Sequence, residues 1–298
     1  VTNTPGNELC CLICIDSTVH LSEESFMRRF AAATLAAVLG FGAVACSDES
    51  AGDEPITVLA QATPHAEILR YVDESNPDYE LDVKVVPGGP DPNMSVSNGS
   101  ADANFYQHPP YLHDWENETG EHLVNVVGVH IEPLGMYSNA IDDIDELEDG
   151  AKIVTHNSPS NLARALMLLE ANRVIGLDQD VDPANVSQIN LQSIASNPKN
   201  VEIVPVEDTL VIQSLSDKTV DGVIATSNFA LEIGLNPAND AVIAESPENN
   251  PYVNILAANE EAAKDPRMEK LAADLSSPEI AEWIRQKYDG SVVPANSR

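Results

Sequence analysis

The pattern that most constrains the fold of this 298-residue chain is strand–helix alternation, repeated in two runs that extended segments join. The first run opens with the apolar strand Ile56-Thr57-Val58-Leu59-Ala60, followed by Thr63-Pro64. Thr at an N-cap with Pro in the first turn predicts a helix start. The hydroxyl accepts an otherwise orphaned N–H, and proline has no N–H to leave unpaired. Ile68, Leu69 and Val72 share one face of that helix. Strands are expected over 81–86 and 103–106. Residues 124–129 and 135–138 bracket an extended segment too long for one ordinary strand. The second run predicts a strand over 152–155, a helix over 159–174 and strands over 201–206 and 222–225. Later strands fall at 241–244 and 252–258, and helices at 266–275 and 278–288 end the chain. In the 159–174 helix, apolar residues at 162, 165, 166 and 169 form the stripe of a core-facing side.

Such alternation predicts an α/β fold with mostly parallel sheets. Two runs joined by long extended segments predict two lobes and two strand-like crossovers. Lobe one would comprise residues 55–134 and 246–298, and lobe two residues 135–245. The second crossover, near 252–258, would return the chain so that the C-terminal helices pack on lobe one. Ligands of open α/β sheets sit beyond the carboxyl ends of strands, so a cleft between the lobes is the expected site.

Ahead of the alternating region, Met27-Arg28-Arg29 precedes an uncharged run from Phe30 to Ala45, ending in Ala43-Val44-Ala45-Cys46. A basic start, a short apolar run and small residues before a break are the parts of a secretory signal. The run is shorter than the roughly 20 residues a membrane-spanning helix needs. Cys46 after the small residues resembles a bacterial lipobox, whose thiol takes a diacylglyceryl group; Ala43 stands where Leu is usual. A buried structural cysteine after an ordinary signal is the alternative. Residues 27–45 are thus expected to be a lipoprotein signal peptide, with Cys46 the lipidation site. Residues 46–54 would follow as an acidic tether. Residues 1–26 fit no part of the pattern and are expected to be an upstream extension. Their Cys11-Leu-Ile-Cys14 has metal or redox spacing without further ligands or a strand-to-helix context.

The chain carries 48 acidic and 15 basic residues; residues 1–45 hold four and two of these, leaving 44 against 13 and a net charge of −31. That charge makes nucleic acid and anionic lipid poor partners. It also fits adaptation to high salt. At 43% hydrophobic content the chain is globular, and the lack of cysteine beyond Cys46 excludes a disulfide framework.

Three segments carry candidate binding chemistry. In Asp102 to Tyr111, a strand ends and a helix begins after Pro109-Pro110. Phe105, Tyr106, His108 and Tyr111 there suit an apolar wall with polar rims. The same spacing equally fits two core aromatics and a helix-capping His108. In Asn157-Ser158-Pro159-Ser160-Asn161, Ser158 is a natural N-cap, and Asn161 and Arg164 share a face away from the apolar stripe. A helix start with a guanidinium fork suits a carboxylate, though a solvated arginine fits as well. In the third segment an apolar strand gives way to Thr226-Ser227-Asn228-Phe229. These residues suit a ligand's ammonium or carboxylate, or a plain N-cap cluster.

Taken together, these segments resemble the MetQ/NlpA family of methionine-binding lipoproteins, the substrate-binding components of methionine ABC importers. Matching stretches include Ala62-Thr63-Pro64-His65-Ala66-Glu67-Ile68-Leu69, Asp102 to Leu112, and Val129-His130-Ile131-Glu132-Pro133-Leu134-Gly135-Met136-Tyr137-Ser138. Further matches are Asn157 to Glu170, Asn197-Pro198-Lys199-Asn200, Phe229 to Pro237 and Ser246 to Val253, in order over residues 55–295. The resemblance implies a two-lobed, type II-like periplasmic-binding-protein fold. It also implies an aromatic/His segment around the ligand side chain, a helix arginine on its carboxylate and a strand-end Asn cluster on its amino group. Those roles map to Phe105, Tyr106, His108, Tyr111, Asn161, Arg164 and Asn228, and Asn157 and Thr226 are expected among the ligand-binding residues too. Thr226 stands where Asn is usual and Phe229 where Tyr is usual, which bears on amino-group recognition. The implied ligand is methionine or a related amino acid or short peptide. The implied partners are an ABC permease and its ATPase, and the place is the extracytoplasmic face of the cell membrane, held by lipid. No cofactor is expected.

Two other classes compete. An enzyme, such as a surface-anchored hydrolase, needs a nucleophile–base pair or a metal site, and no such motif is present. A secreted binder of metal or another solute would draw on His65, His108, His113 and His130, which lack paired ligand spacing.

Overall fold

A computed structural model describes residues 54–86, 91–178 and 188–295. The upstream extension, the signal-like segment, Cys46 and all of the tether except Glu54 lie outside these described residues. Among them, no helix is long and apolar enough to cross a membrane.

The first run of the chain builds β1 (Ile56–Ala60), α1 (Glu67–Ser75), β2 (Leu81–Val85), α2 (Pro92–Ser97), β3 (Ala103–Gln107), α3 (Pro109–Thr119) and β4 (Val124–Ile131). The second builds β5 (Leu134–Tyr137), β6 (Lys152–His156), α4 (Pro159–Ala171), β7 (Gly176–Leu177), β8 (Ile194–Ser196), β9 (Glu202–Val206), α5 (Asp208–Val211), β10 (Gly222–Thr226), α6 (Ser227–Glu232), α7 (Pro237–Asp240) and β11 (Ile243–Ala244). The chain then adds β12 (Val253–Ala258), α8 (Pro266–Leu275), α9 (Pro278–Tyr288) and β13 (Val293–Pro294).

Two main sheets result, and the fold is two-lobed. One has the order β13-β4-β12-β3-β1-β2, the other β11-β5-β10-β6-β9, and β7 pairs with β8 apart from both. The long extended segment between the runs is β4 and β5 in succession, broken at Glu132-Pro133, where the chain passes from the first sheet to the second. Residues 245–252 carry it back.

The sheets are mixed rather than mostly parallel. β1 pairs parallel with β2 and β3, and β6 parallel with β9 and β10. The crossover strands reverse this: β12 runs antiparallel to β3 and β4, and β5 antiparallel to β10 and β11. Helical crossovers generate parallel neighbours, whereas a strand passing straight into the other sheet enters without a helix to turn it round.

Helices cover both faces of each sheet, and side-chain alternation decides which core a residue joins. In β1, Val58 and Ala60 pack with Ile68, Leu69, Leu271 and Ile284 from α1, α8 and α9. Leu59 between them points the other way, to Val96, Leu112 and Trp115 from α2 and α3. In the second sheet Ile153 and Ile224 pack against Leu166 and Leu169 of α4, while Val154, Val223 and Ala225 pack with Val211 and Phe229. Full burial of a leucine contributes about 1.5–3 kcal/mol, so the α4 stripe anchors that helix firmly.

The N-terminal turn differs from expectation. Thr63 is extended (φ −130°, ψ 133°) instead of capping, and α1 begins only at Glu67. Its hydroxyl donates to Glu67 Oε1 at 2.7 Å, while Ala66 N–H donates to the Gln61 carbonyl at 2.9 Å. The turn ahead of the helix thereby satisfies itself, and Gln61 is held at the carboxyl end of β1.

Candidate ligand-binding site

A cleft of about 520 Å³ opens where the carboxyl ends of β1, β3, β6 and β10 converge. Tyr106, His108, Tyr111, Asn157, Asn161, Arg164, Thr226 and Asn228 all line it. Phe105 does not: it is fully buried in the core of the first sheet, edge-on to the rings of His65 (4.7 Å) and His130 (5.3 Å). Adjacent strand residues face opposite sides, so Phe105 and Tyr106 cannot both reach the cleft.

His108 caps α3 and lines the cleft as well. As N-cap of α3 it accepts the Tyr111 N–H on Nδ1 at 3.2 Å, and its Nε2 donates to Asn161 Oδ1 at 3.0 Å. Burial and the nearby Arg164 charge lower its pKa to about 3, so the ring is neutral and the Nε2–H tautomer is fixed by its two partners. Tyr106 and Tyr111 pack edge-to-face at 5.8 Å and form the aromatic wall.

Arg164 is only 1% exposed. Its Nε and Nη2 donate to the two oxygens of Glu245 at 3.1 and 2.6 Å, a bidentate pair. Nη2 also donates to the Glu132 carbonyl at 3.1 Å, and Nη1 to Asn161 Oδ1 at 3.2 Å. The guanidinium carbon lies 4.1 Å from the centre of the Tyr252 ring. Four of the five donors are thus used within the described residues, leaving one Nη1–H at the cleft wall. Asn161 Oδ1 takes donors from both His108 and Arg164, which orients its amide nitrogen away from them. Arg164 touches both segments that join the sheets: Glu132 on one, Glu245 and Tyr252 on the other. Glu245 in addition accepts the Leu134 N–H at 3.0 Å.

Glu132, at the β4–β5 break, is the main site residue that spacing did not reveal. It is 4% exposed and lines the cleft. His130 Nε2 lies 2.8 Å and His65 Nε2 3.3 Å from its Oε1, and the Asn228 backbone N–H also bonds to the carboxylate. Burial raises the Glu132 pKa, against the lowering effects of His65, Arg164 and that N–H. Burial lowers His65 to about 4 and His130 to about 3, so both imidazoles are neutral near pH 7. These three residues place possible ligand atoms within 4.8 Å of one another. A metal-bound imidazole, however, passes its other N–H to an acceptor. Neither His65 Nδ1 nor His130 Nδ1 has a partner among the described residues. His130 Nε2–H donates to the Glu132 carboxylate, while the His65 Nε2–H donates to Asn254 Oδ1 at 3.0 Å and stands beside that carboxylate.

Opposite them, the Thr226 hydroxyl donates to Asn228 Oδ1 and Asn228 Nδ2 donates to Gln61 Oε1 at 2.8 Å. Thr226 therefore orients the Asn228 amide, and Gln61 joins the site from the end of β1. Ser158 and Asp208 line the cleft with the buried His156 next to them, but without the order a hydrolase requires. The serine donates to Asp208 Oδ1 at 3.3 Å and the imidazole Nδ1 sits 2.8 Å from that same oxygen. The hydroxyl thus meets a carboxylate instead of a general base on the imidazole.

The comparisons with known proteins agree with this architecture. Residues 56–296 match the family model of the NlpA lipoproteins. The chain is 35% identical over 274 residues to the methionine-binding lipoprotein MetQ of Bacillus subtilis, covering 90% of this chain and 99% of that one. A nutrient-binding protein from Burkholderia cenocepacia, solved bound to methionine, superposes with a TM-score of 0.75 at 31% identity, covering 80% and 99% of the two chains. A periplasmic substrate-binding protein of an ABC transporter from Coxiella burnetii superposes with a TM-score of 0.73 at 31% identity, covering 80% and 100%. The fold is the two-lobed one of periplasmic binding proteins, and the chain belongs to the NlpA lipoprotein family.

Proposed function

We propose that the chain is a lipid-anchored, extracytoplasmic substrate-binding protein that captures methionine, or a related amino acid or short peptide, for an ABC importer. The observation that carries this reading is one cleft presenting a buried guanidinium donor and a buried carboxylate, Arg164 and Glu132. That pair matches the two charges of an α-amino acid zwitterion. The ligand carboxylate would take the remaining Arg164 Nη1–H and the Asn161 amide. The ammonium would take Glu132, with Asn228 and Gln61 beside it, and Thr226 acting by orienting Asn228. Tyr106, His108 and Tyr111 would wall the side chain, with Asn157 at the rim. The names of the Bacillus and Burkholderia relatives favour methionine, and that of the Coxiella relative favours delivery to an ABC permease and its ATPase.

In this reading, residues 55–134 with 246–298 and residues 135–245 are the two lobes that close on the ligand. Residues 27–45 are the signal, and a diacylglyceryl Cys46 with the 46–54 tether holds the domain at the membrane. The role is capture, not catalysis, consistent with the Ser158–Asp208–His156 arrangement. A thermal-shift panel of amino acids and short peptides tests the ligand class. Methionine should give one of the largest shifts, and a shift from another solute with none from methionine would overturn the assignment.

A further inference from the structure

Helix α4 carries Asn161 and Arg164 into the cleft, yet its N-cap, Ser158, makes no side-chain capping bond. The Ser158 hydroxyl is turned to Asp208 instead. The acceptor comes from the other lobe: Asp114 Oδ2, on α3, takes the Ser160 N–H at 3.1 Å. Ser160 is fully buried, so with α3 packed against α4 its N–H has no access to water. Asp114 is not among the residues lining the cleft. It lies one helical turn after Tyr111, on the same face of α3, while Ser160 directly precedes Asn161 on α4. The bond therefore sets the register between the aromatic wall and the Asn161–Arg164 pair, alongside the His108–Asn161 contact.

Resting on the solute-binding reading, we propose that Asp114 is a positioning residue: it caps α4 across the lobe interface and so stabilises the closed, ligand-holding arrangement. When the lobes separate, water can satisfy both the Ser160 N–H and the Asp114 carboxylate. When they close, only Asp114 satisfies that N–H. Losing the carboxylate then penalises the closed state alone, and the penalty emerges as faster ligand release.

The test uses the full-length protein in detergent, as wild type, Asp114→Ala and Asp114→Asn, with dissociation of radiolabelled L-methionine followed in a chase. Loss of a helix cap corresponds to a release rate and affinity changed by about 2- to 30-fold for Asp114→Ala. Asp114→Asn, which keeps an acceptor oxygen, should recover most of it, and the ligand-free melting temperature should stay the same. Unchanged release from Asp114→Ala overturns the proposal. So does a fall in ligand-free melting temperature equal to that of the ligand-bound form, which marks a merely structural cap. If wild type ignores L-methionine, the methionine assignment fails by itself, and the chase is run with whichever amino acid shifts the melting temperature most. A wild type that binds neither an amino acid nor a short peptide overturns both readings.

Discussion

Glu132→Gln separates binding from stability more cleanly than any other substitution in this cleft. The side chain keeps its shape, and the amide oxygen can still accept from His130, whose Nε2 stands 2.8 Å from Oε1, while His65 keeps its bond to Asn254. What disappears is a negative charge that burial already disfavours, as the raised carboxyl pKa records. Relief of that charge means the ligand-free protein should melt at the same temperature or slightly higher. Binding should respond in the opposite sense. A charge-assisted bond to an ammonium is worth about 1.5–3 kcal/mol, so methionine affinity should fall about 10- to 150-fold. Isothermal calorimetry of wild type and variant measures this directly. A methionine analogue lacking the amino group should bind both proteins equally, because it never used the carboxylate. Undiminished methionine affinity in the variant, or an equal loss for the analogue, would refute the assignment of Glu132 to the ammonium.

Further expectations concern stability, pH and anchoring. Arg164→Ala breaks a pair whose side chains are 1% and 13% exposed, leaving Glu245 without its counter-charge. Denaturant unfolding should show a loss of about 3–5 kcal/mol besides weakened carboxylate binding. His65, His108 and His130 have folded pKa values lowered to about 4, 3 and 3 from an ordinary 6.5. Below pH 6.5 the unfolded chain takes up protons that the folded one refuses, so stability should fall as pH drops from 6.5 towards 4. The slope approaches about 4 kcal/mol per pH unit for three imidazoles. Glu132, with its pKa raised, partly offsets this between its folded value and 4.5. Flat unfolding free energies from pH 7 to 4.5 would contradict the neutral, buried state of these rings. Cys46→Ala should release the protein from the membrane fraction, and a variant that stays there would place the anchor elsewhere.

Periodicity made most of the fold legible. The C-terminal helices occur at 266–275 and 278–288 as expected, and the buried face of α4 follows its apolar stripe. Local pattern failed where a side chain found a partner other than the local one. Thr63 looks like an N-cap, but its hydroxyl reaches forward to Glu67. Phe105 shares a strand with Tyr106, and only the pleat separates core from cleft. Arg164 was visible as a cation on a helix, whereas Glu245 is 81 residues away and becomes its partner only through the return crossover. Glu132 did leave a trace, a carboxylate next to proline inside an extended segment too long for one strand. The i, i+2 spacing of an extended segment puts His130 on its face, but no spacing rule links it to His65.

The central claim is that Arg164 and Glu132 read the two charges of one amino-acid ligand, and a crystal structure of the protein soaked or grown with L-methionine tests it most directly. The account predicts the ligand carboxylate on Arg164 Nη1 and the Asn161 amide, the ammonium on Glu132, and the thioether against Tyr106 and Tyr111. A ligand bound with its carboxylate away from Arg164, or with its ammonium out of reach of Glu132, would contradict it.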